Sequence, residues 1–221
     1  MRRIIIEIIC MTVFFIGLPW LVLPGAGEAP GMLTLCLAYL AVAAPQIGVT
    51  VYLVTRKGRP PADFGLGRPG LRTLPRLGLA LLGAVLLLAL VSVTVYLILG
   101  PGAKDVLFQR PFSPALSPAE IPLLVIFCLA VGYREEVFFR SYLITRLGDL
   151  GVKPVWAVLG STVIFGAAHF YEGVFGVVFA LLAGGLFGVF FLKTRDLHAV
   201  AGAHALFNLG VWLAGYFVVR I

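Results

Sequence analysis

The sequence predicts an all-α membrane protein, a polytopic bundle of about seven transmembrane helices, with six to eight compatible with the length at ~20 residues per span. Three observations carry that prediction. Of the 221 residues, 61% are hydrophobic and only 12% are charged, against roughly 45–50% and about 25% in soluble globular domains. So little charge cannot solvate a water-soluble surface, so a bilayer is the solvent for most of the chain. Apolar stretches close to membrane length recur from end to end, and Lys and Arg gather in alternate connections between them. Disorder, a coiled coil, a secreted disulfide scaffold and a soluble nucleic-acid module are excluded. The net charge of +7 is read as topological, with the bilayer as partner and no nucleic acid.

Arg2 and Arg3 precede the first apolar stretch, Ile4 to Leu23, which is longer than a signal-peptide core and lacks a clear cleavage site. It is read as a retained span, with Glu7 reaching the headgroups. The second runs from Met32 to Val54, interrupted at Pro45 and Gln46. Thr55 to Arg76 is the substantial loop, carrying Arg56, Lys57, Arg59, Arg68, Arg72 and Arg76 against Asp63 alone. Span three covers Leu77 to Leu99. Span four opens on Ser117-Pro118-Ala119-Glu120, a capping box with proline at the first helical position, and meets no breaker until Gly148. Span five covers Pro154 to Phe170 and span six Val174 to Leu192. In span six Ala180, Gly184 and Gly188 form a small-residue stripe that lets a neighbouring helix approach. His198 to Val219 is the last span. Cys10, Cys36 and Cys128 sit singly inside apolar runs and are read as packing residues.

The basic connections are the N-terminus, the 55–76 loop, the region of Arg146 and Lys153, and the 193–195 turn. Seven spans with a cytoplasmic N-terminus satisfy the alternation with the poorly charged connections at 24–31, 100–117 and 171–173. The chain is one integral membrane domain. Residues 1–115 supply N-terminal helices and the basic cytoplasmic loop, and residues 116–221 supply the helical core that carries the chemistry.

A charge at a helix centre costs about 2.5–3.5 kcal/mol on insertion scales, so intramembrane ionisable residues point to function. Span four carries Arg134, Glu135, Glu136 and Arg140; span five carries His169; span seven carries His204 and Asn208. Glu136 and Arg140 have the spacing and order of a helical ion pair. Glu135 lies ~100° away round the helix and is left to point elsewhere. His204 and Asn208 share one helix face, as do Phe165 and His169. Depths from the basic ends come to roughly 18 Å for Glu135, 22 Å for His169 and 10 Å for His204, a spread that leaves convergence open. The Glu136–Arg140 pair reads equally well as a buried structural bridge, and Asn208 as interhelical glue.

These residues resemble the signatures of the CPBP family, the CAAX-protease and bacteriocin-processing group of intramembrane proteases. Its EExxxR motif reads Glu135-Glu136-Val137-Phe138-Phe139-Arg140, its FxxxH motif Phe165 to His169, and its HxxxN motif His204 to Asn208. Asp63 to Gly67 is a weaker family-like stretch. The resemblance spans Pro118 to Gly210 and implies a peptidase acting on a membrane-anchored or membrane-associated protein or peptide. It implies Glu135 as the base that activates water, His169 helping to hold that water, and His204 with Asn208 stabilising the oxyanion. Glu136 with Arg140 would orient Glu135. A zinc-dependent version would take Glu135, His169 and His204 as ligands. The metal-free glutamate mechanism is preferred, since there is no HExxH and a metal-bound Glu135 would leave the base unassigned. A non-enzymatic immunity or binding protein of the same fold, and a proton-coupled transporter, are the competing classes. The chain lacks matching pairs of broken helices, which speaks against the transporter. The expected location is the cell membrane, with the site reached from the cytoplasm along Arg140, Glu136 and Asn208.

Overall fold

The computed structural model describes residues 1–22, 30–56, 58–103 and 117–218. Among them there is no strand, and seven principal helices form the bundle. These are α1 (Arg2–Val22), α2 (Met32–Thr55), α3 (Thr73–Leu99), α4, α5 (Pro154–Ala168), α6 (Gly173–Thr194) and α7 (Leu197–Val218). Helix α4 is continuous but changes pitch: α-helix over Ile121–Glu136, π-helix over Val137–Ile144 and α-helix again over Thr145–Asp149. Four stretches are long and apolar enough to cross a membrane: Met32–Thr55, Thr73–Gly102, Phe170–Thr194 and Leu197–Tyr216. Connections 23–29 and 104–116, Lys57 and the last three residues lie outside the described residues. So do most of the poorly charged 24–31 and 100–117 connections and the proposed boundary at 115.

Helix α4 is the centre of the bundle, packed against α2 and α7, while α5 packs on α6 and α3 on α6 and α7. Small residues set these distances. A Cβ at Gly132 of α4 would lie 2.6 Å from the Ala201 carbonyl oxygen of α7, so only glycine allows the two backbones to approach this closely. The stripe on α6 does what its spacing predicts. A Cβ at Gly188 would come within 2.8 Å of Val158, and one at Gly184 within 3.1 Å of Phe165, both on α5.

Helix α2 runs unbroken through Pro45 and Gln46, which corrects the expected interruption. Gln46 is fully buried. Its amide donates to the carbonyl oxygens of Phe14 and Phe15 on α1, and its oxygen accepts from Arg134 Nε on α4. Neighbouring helices satisfy the polar group, so it has no reason to break the span.

Glu7 does not reach toward headgroups as expected. Its carboxylate pairs with Arg56 Nη2 at 2.6 Å and Arg146 Nε at 3.0 Å, and accepts from the Tyr142 hydroxyl at 3.2 Å. Asp149 extends the network to Arg146 and Arg59. The start of α1 and the ends of α2 and α4 are thereby tied together at the basic end.

The loop after α2 is anchored at its middle, where Phe64 and Gly65 are buried, while Pro61 to Asp63 and Arg68 to Arg72 stay exposed. A 3₁₀ turn, Pro61–Phe64, ends at Gly65 with φ 71°, and Phe64 is fully buried. Ser141 Oγ donates to the Phe64 carbonyl at 2.6 Å. A Cβ at Gly65 would fall 2.6 Å from the Phe191 ring, so both its φ and the space require glycine. Leu197 N donates to the Gly65 carbonyl at 3.0 Å, and His198 Nε2 to that of Gly67 at 2.9 Å. This loop therefore lies against the start of α7. That helix is capped by Asp196, whose Oδ1 accepts from Ala199 N at 3.1 Å.

Candidate active site

The change of pitch in α4 begins at Val137, directly after the paired glutamates. A π stretch inside an α-helix is rare and concentrates at functional sites; here it carries Arg140 and lies between the paired glutamates and the basic end. Glu136 Oε2 lies 3.0 Å from Arg140 Nε, and the two side chains are 0% and 1% exposed. The Arg140 guanidinium lies 4.5 Å from the centroid of the Phe165 ring. Glu135 faces the other arginine: its Oε1 is 3.7 Å from Arg134 Nη1. Arg134 is held by Gln46, by the Tyr39 hydroxyl at 3.2 Å and by the Phe15 carbonyl at 2.8 Å. Its guanidinium also stacks 3.9 Å over the Phe15 ring. Each carboxylate thus has its own arginine, Glu136 at contact distance and Glu135 at the edge of it.

The histidines come to the same place. His204 Nδ1 lies 2.8 Å from Glu136 Oε1, and His204 Nε2 lies 3.8 Å from Glu135 Oε2. His169 Nε2 lies 4.0 Å from that same oxygen, and its Nδ1 lies 2.8 Å from the Phe165 carbonyl. Two features close the gap that the depth estimate left open. Helix α5 has only 15 residues, roughly 22 Å against a ~30 Å hydrocarbon core. It stops inside the bundle, and His169 is its terminal cap residue, one position past the helix on which it was expected. The anchored loop occupies the space beside the start of α7, so depth counted from that end understated how far in His204 lies.

Proton placement follows from the partners. A carbonyl and a carboxylate only accept, so both Nδ1 atoms carry hydrogen, and in the neutral rings both Nε2 atoms present lone pairs. Glu135 Oε2 is buried and has no hydrogen-bond partner among the described residues. Three acceptors therefore converge on one point, an arrangement that calls for a donor between them.

Asn208 is half-buried, one turn beyond His204 on the same face of α7, and its amide has no hydrogen bond among the described residues. The expected hydrated path along Arg140 and Glu136 is not there. Both side chains are sealed, with Phe139, Phe165 and Phe187 around the guanidinium. Glu135, His169, His204 and Asn208 are the members with residual exposure.

As a metal centre the set fits only in part. Carboxylate plus two imidazoles, each with its Nδ1 anchored, is a donor set that zinc accepts. At Zn–N and Zn–O distances of about 2.0–2.2 Å, tetrahedral ligand atoms sit roughly 3.4 Å apart. The gaps here are 3.8 and 4.0 Å, and no three His, Cys, Asp or Glu side chains among the described residues group closely enough to hold an ion.

Residues 117–210 match the family model described as type II CAAX prenyl endopeptidase Rce1-like. This stretch belongs to the CPBP family. No curated protein and no solved structure matches the chain. The matched stretch contains all six expected site residues and ends two residues beyond Asn208. The supports outside it are what sequence reasoning missed. Gln46, Tyr39 and Phe15 fix Arg134, and through it the edge of Glu135. Gln46 was visible as an amide in an apolar span, which must find a partner when buried, but its partner was not legible.

Proposed function

We propose that the protein is an intramembrane endopeptidase that hydrolyses a peptide bond of a membrane-anchored or membrane-associated protein by glutamate-activated water. The carrying observation is the convergence of Glu135 Oε2 with the Nε2 atoms of His169 and His204. A water donates to two of these acceptors, and its oxygen is left facing the substrate. Glu135 takes one proton as the hydroxide adds to the scissile carbonyl carbon. The Asn208 amide donates to the oxyanion that forms. A His204 ring that has taken a proton from solvent before the step donates to the same oxyanion from Nε2 and keeps that proton throughout, its charge compensated by Glu136 at 2.8 Å. When the C–N bond breaks, the proton on Glu135 passes to the leaving amine, and the base is restored.

This assigns Glu136 a different task from the expected one: it orients His204 and not Glu135. The assignment needs no covalent nucleophile and no metal. In this reading the chain is a multi-pass membrane protein whose helix α5 ends within the bilayer, with the basic end cytoplasmic. The description of the matching family model suggests prenylated CAAX tails as one substrate class.

The test is cleavage of a membrane-anchored reporter by detergent-purified protein, before and after exhaustive dialysis against a strong chelator. The rate is expected to be unchanged. Loss of activity restored by one equivalent of zinc would overturn the water-and-glutamate reading and make Glu135, His169 and His204 ligands.

A further inference from the structure

At the basic end, the 61–72 loop, the first turn of α3 and the α6–α7 turn border a cleft of about 430 Å³ whose lining includes Arg68, Arg72, Thr73, Arg76, Arg195 and Asp196. Asp196 is the acid among the lining residues, and it is already committed. Its Oδ1 accepts from Ala199 N, and its Oδ2 accepts from Thr73 Oγ1 at 2.9 Å and Arg76 Nη1 at 3.2 Å. The Arg68 and Arg72 side chains have no ion pair or hydrogen bond among the described residues. The Arg195 guanidinium has one contact there, 5.5 Å from the centroid of the Phe191 ring. Three exposed guanidinium groups thus border one concavity with no acid left to neutralise them.

The walls are fixed. The backbone bond from Leu197 N to the Gly65 carbonyl and the bond from His198 to the Gly67 carbonyl join loop to turn. Arg195 is the only described non-glycine residue at positive φ, 49°, which sets it at the rim. Beside the cleft, Leu71 is 99% exposed and Leu74 75% exposed. Bare leucines next to unpaired arginines suit a membrane surface, with the apolar groups among acyl chains and the guanidiniums at phosphate level.

We propose that this cleft binds a phosphate group, and that its source is the headgroup of an anionic lipid in the leaflet at the basic end. Peptide cleavage plays no part in this inference, so it stands or falls apart from the proposed function. The cleft residues contribute nothing to the polar cluster on α4, α5 and α7.

The experiment titrates phosphatidylglycerol, phosphatidylcholine and inorganic phosphate separately into detergent-purified protein, reading binding by thermal shift. Each arginine near an anionic surface contributes about fivefold in affinity. Phosphatidylglycerol should therefore bind the R68Q/R72Q/R195Q variant about a hundredfold more weakly than wild type. The corresponding triple lysine variant, which keeps the charge, should retain most of the affinity and so separates charge loss from misfolding. R2Q/R3Q, outside the cleft, should bind as wild type does. Inorganic phosphate that displaces the lipid shows that the phosphate group is what is read; failure to displace shows that the lipid supplies the rest of the affinity. Equal binding of phosphatidylglycerol and phosphatidylcholine would overturn the proposal, as would undiminished binding by the glutamine variant. Displacement by polyglutamate but not by phosphate would also overturn it, and would make the cleft a site for acidic peptide.

Discussion

Glu135 and Glu136 are chain neighbours, yet the structure gives them opposite surroundings. Glu136 is wholly excluded from solvent, with Arg140 Nε 3.0 Å from one oxygen and His204 Nδ1 2.8 Å from the other. Glu135 keeps 11% of its side chain exposed; Arg134 is 3.7 Å from one oxygen, and two imidazole nitrogens face the other at 3.8 and 4.0 Å. One step along a helix is a ~100° turn, enough to place one carboxylate inside a closed pair and the next at an open edge. The first has an oxygen without an aligned hydrogen bond among the described residues, Oε2, but Arg140 closes it off at 3.0 Å and no solvent reaches it. The second has an unsatisfied oxygen in a poorly hydrated place, which is where a general base is useful. In the proposed mechanism these two identical side chains therefore divide into a positioning group and a reactive one.

The division predicts unequal costs of substitution. Glu136→Gln should destabilise the protein most, by about 3–5 kcal/mol, because Arg140 is left as an uncompensated buried charge. Denaturant unfolding in detergent micelles measures it. Stability equal to wild type would mean that the closed pair is not closed. Next in size is Gly132→Ala, about 1–3 kcal/mol, since the added methyl meets the Ala201 carbonyl oxygen. Pushing α7 off α4 should also lower cleavage, because it draws His204 away from both glutamates. A stable Gly132→Ala protein with full activity would show that the α4–α7 distance does not set the site.

Much of this site was legible beforehand because its spacing is helical. The Glu136–Arg140 pair follows from four-residue spacing, and the separation of Glu135 from it follows from the same geometry. The small-residue stripe on α6 likewise identified a close helix contact. What could not be read was long-range. Nothing in the apolar run around Gln46 says that it meets Arg134 88 positions away. Nor does the 55–76 loop announce that Phe64 will be buried under α4, since a basic, Pro/Gly-rich stretch reads as solvated. Depth estimates failed for a related reason: they assumed helices that all begin at the same membrane surface. Helix α5 is too short for that, and α7 begins behind a folded loop.

The smallest effect expected is at the entry to α4, far from either glutamate. Glu120 Oε2 accepts from the backbone N and the hydroxyl of Ser117 at 2.9 and 2.8 Å. These bonds hold its carboxyl below the usual glutamate range, the backbone bond most of all. A lowered folded value means that the contribution is complete above the ordinary value of about 4.3 and is lost as pH falls through the lower folded one. Hydrogen exchange at Ile121 to Leu124 should accelerate at pH 3 relative to pH 5, beyond the intrinsic change, and Ser117→Ala should remove that difference. Because this cap is remote from the polar cluster, the exchange rates around Glu136 should not follow it.

The comparison between the two glutamates is tested most directly by Glu135→Gln, with unfolding and cleavage measured on the same preparation. An amide keeps the shape and the contact with Arg134 but cannot take a proton from water. The account predicts a stability change within about 1 kcal/mol together with a fall in cleavage rate of about 10²–10⁴-fold. A Glu135→Gln protein that cleaves at the wild-type rate would contradict it. So would one that unfolds as readily as Glu136→Gln, because then both carboxylates would be structural and the base would have to be sought elsewhere.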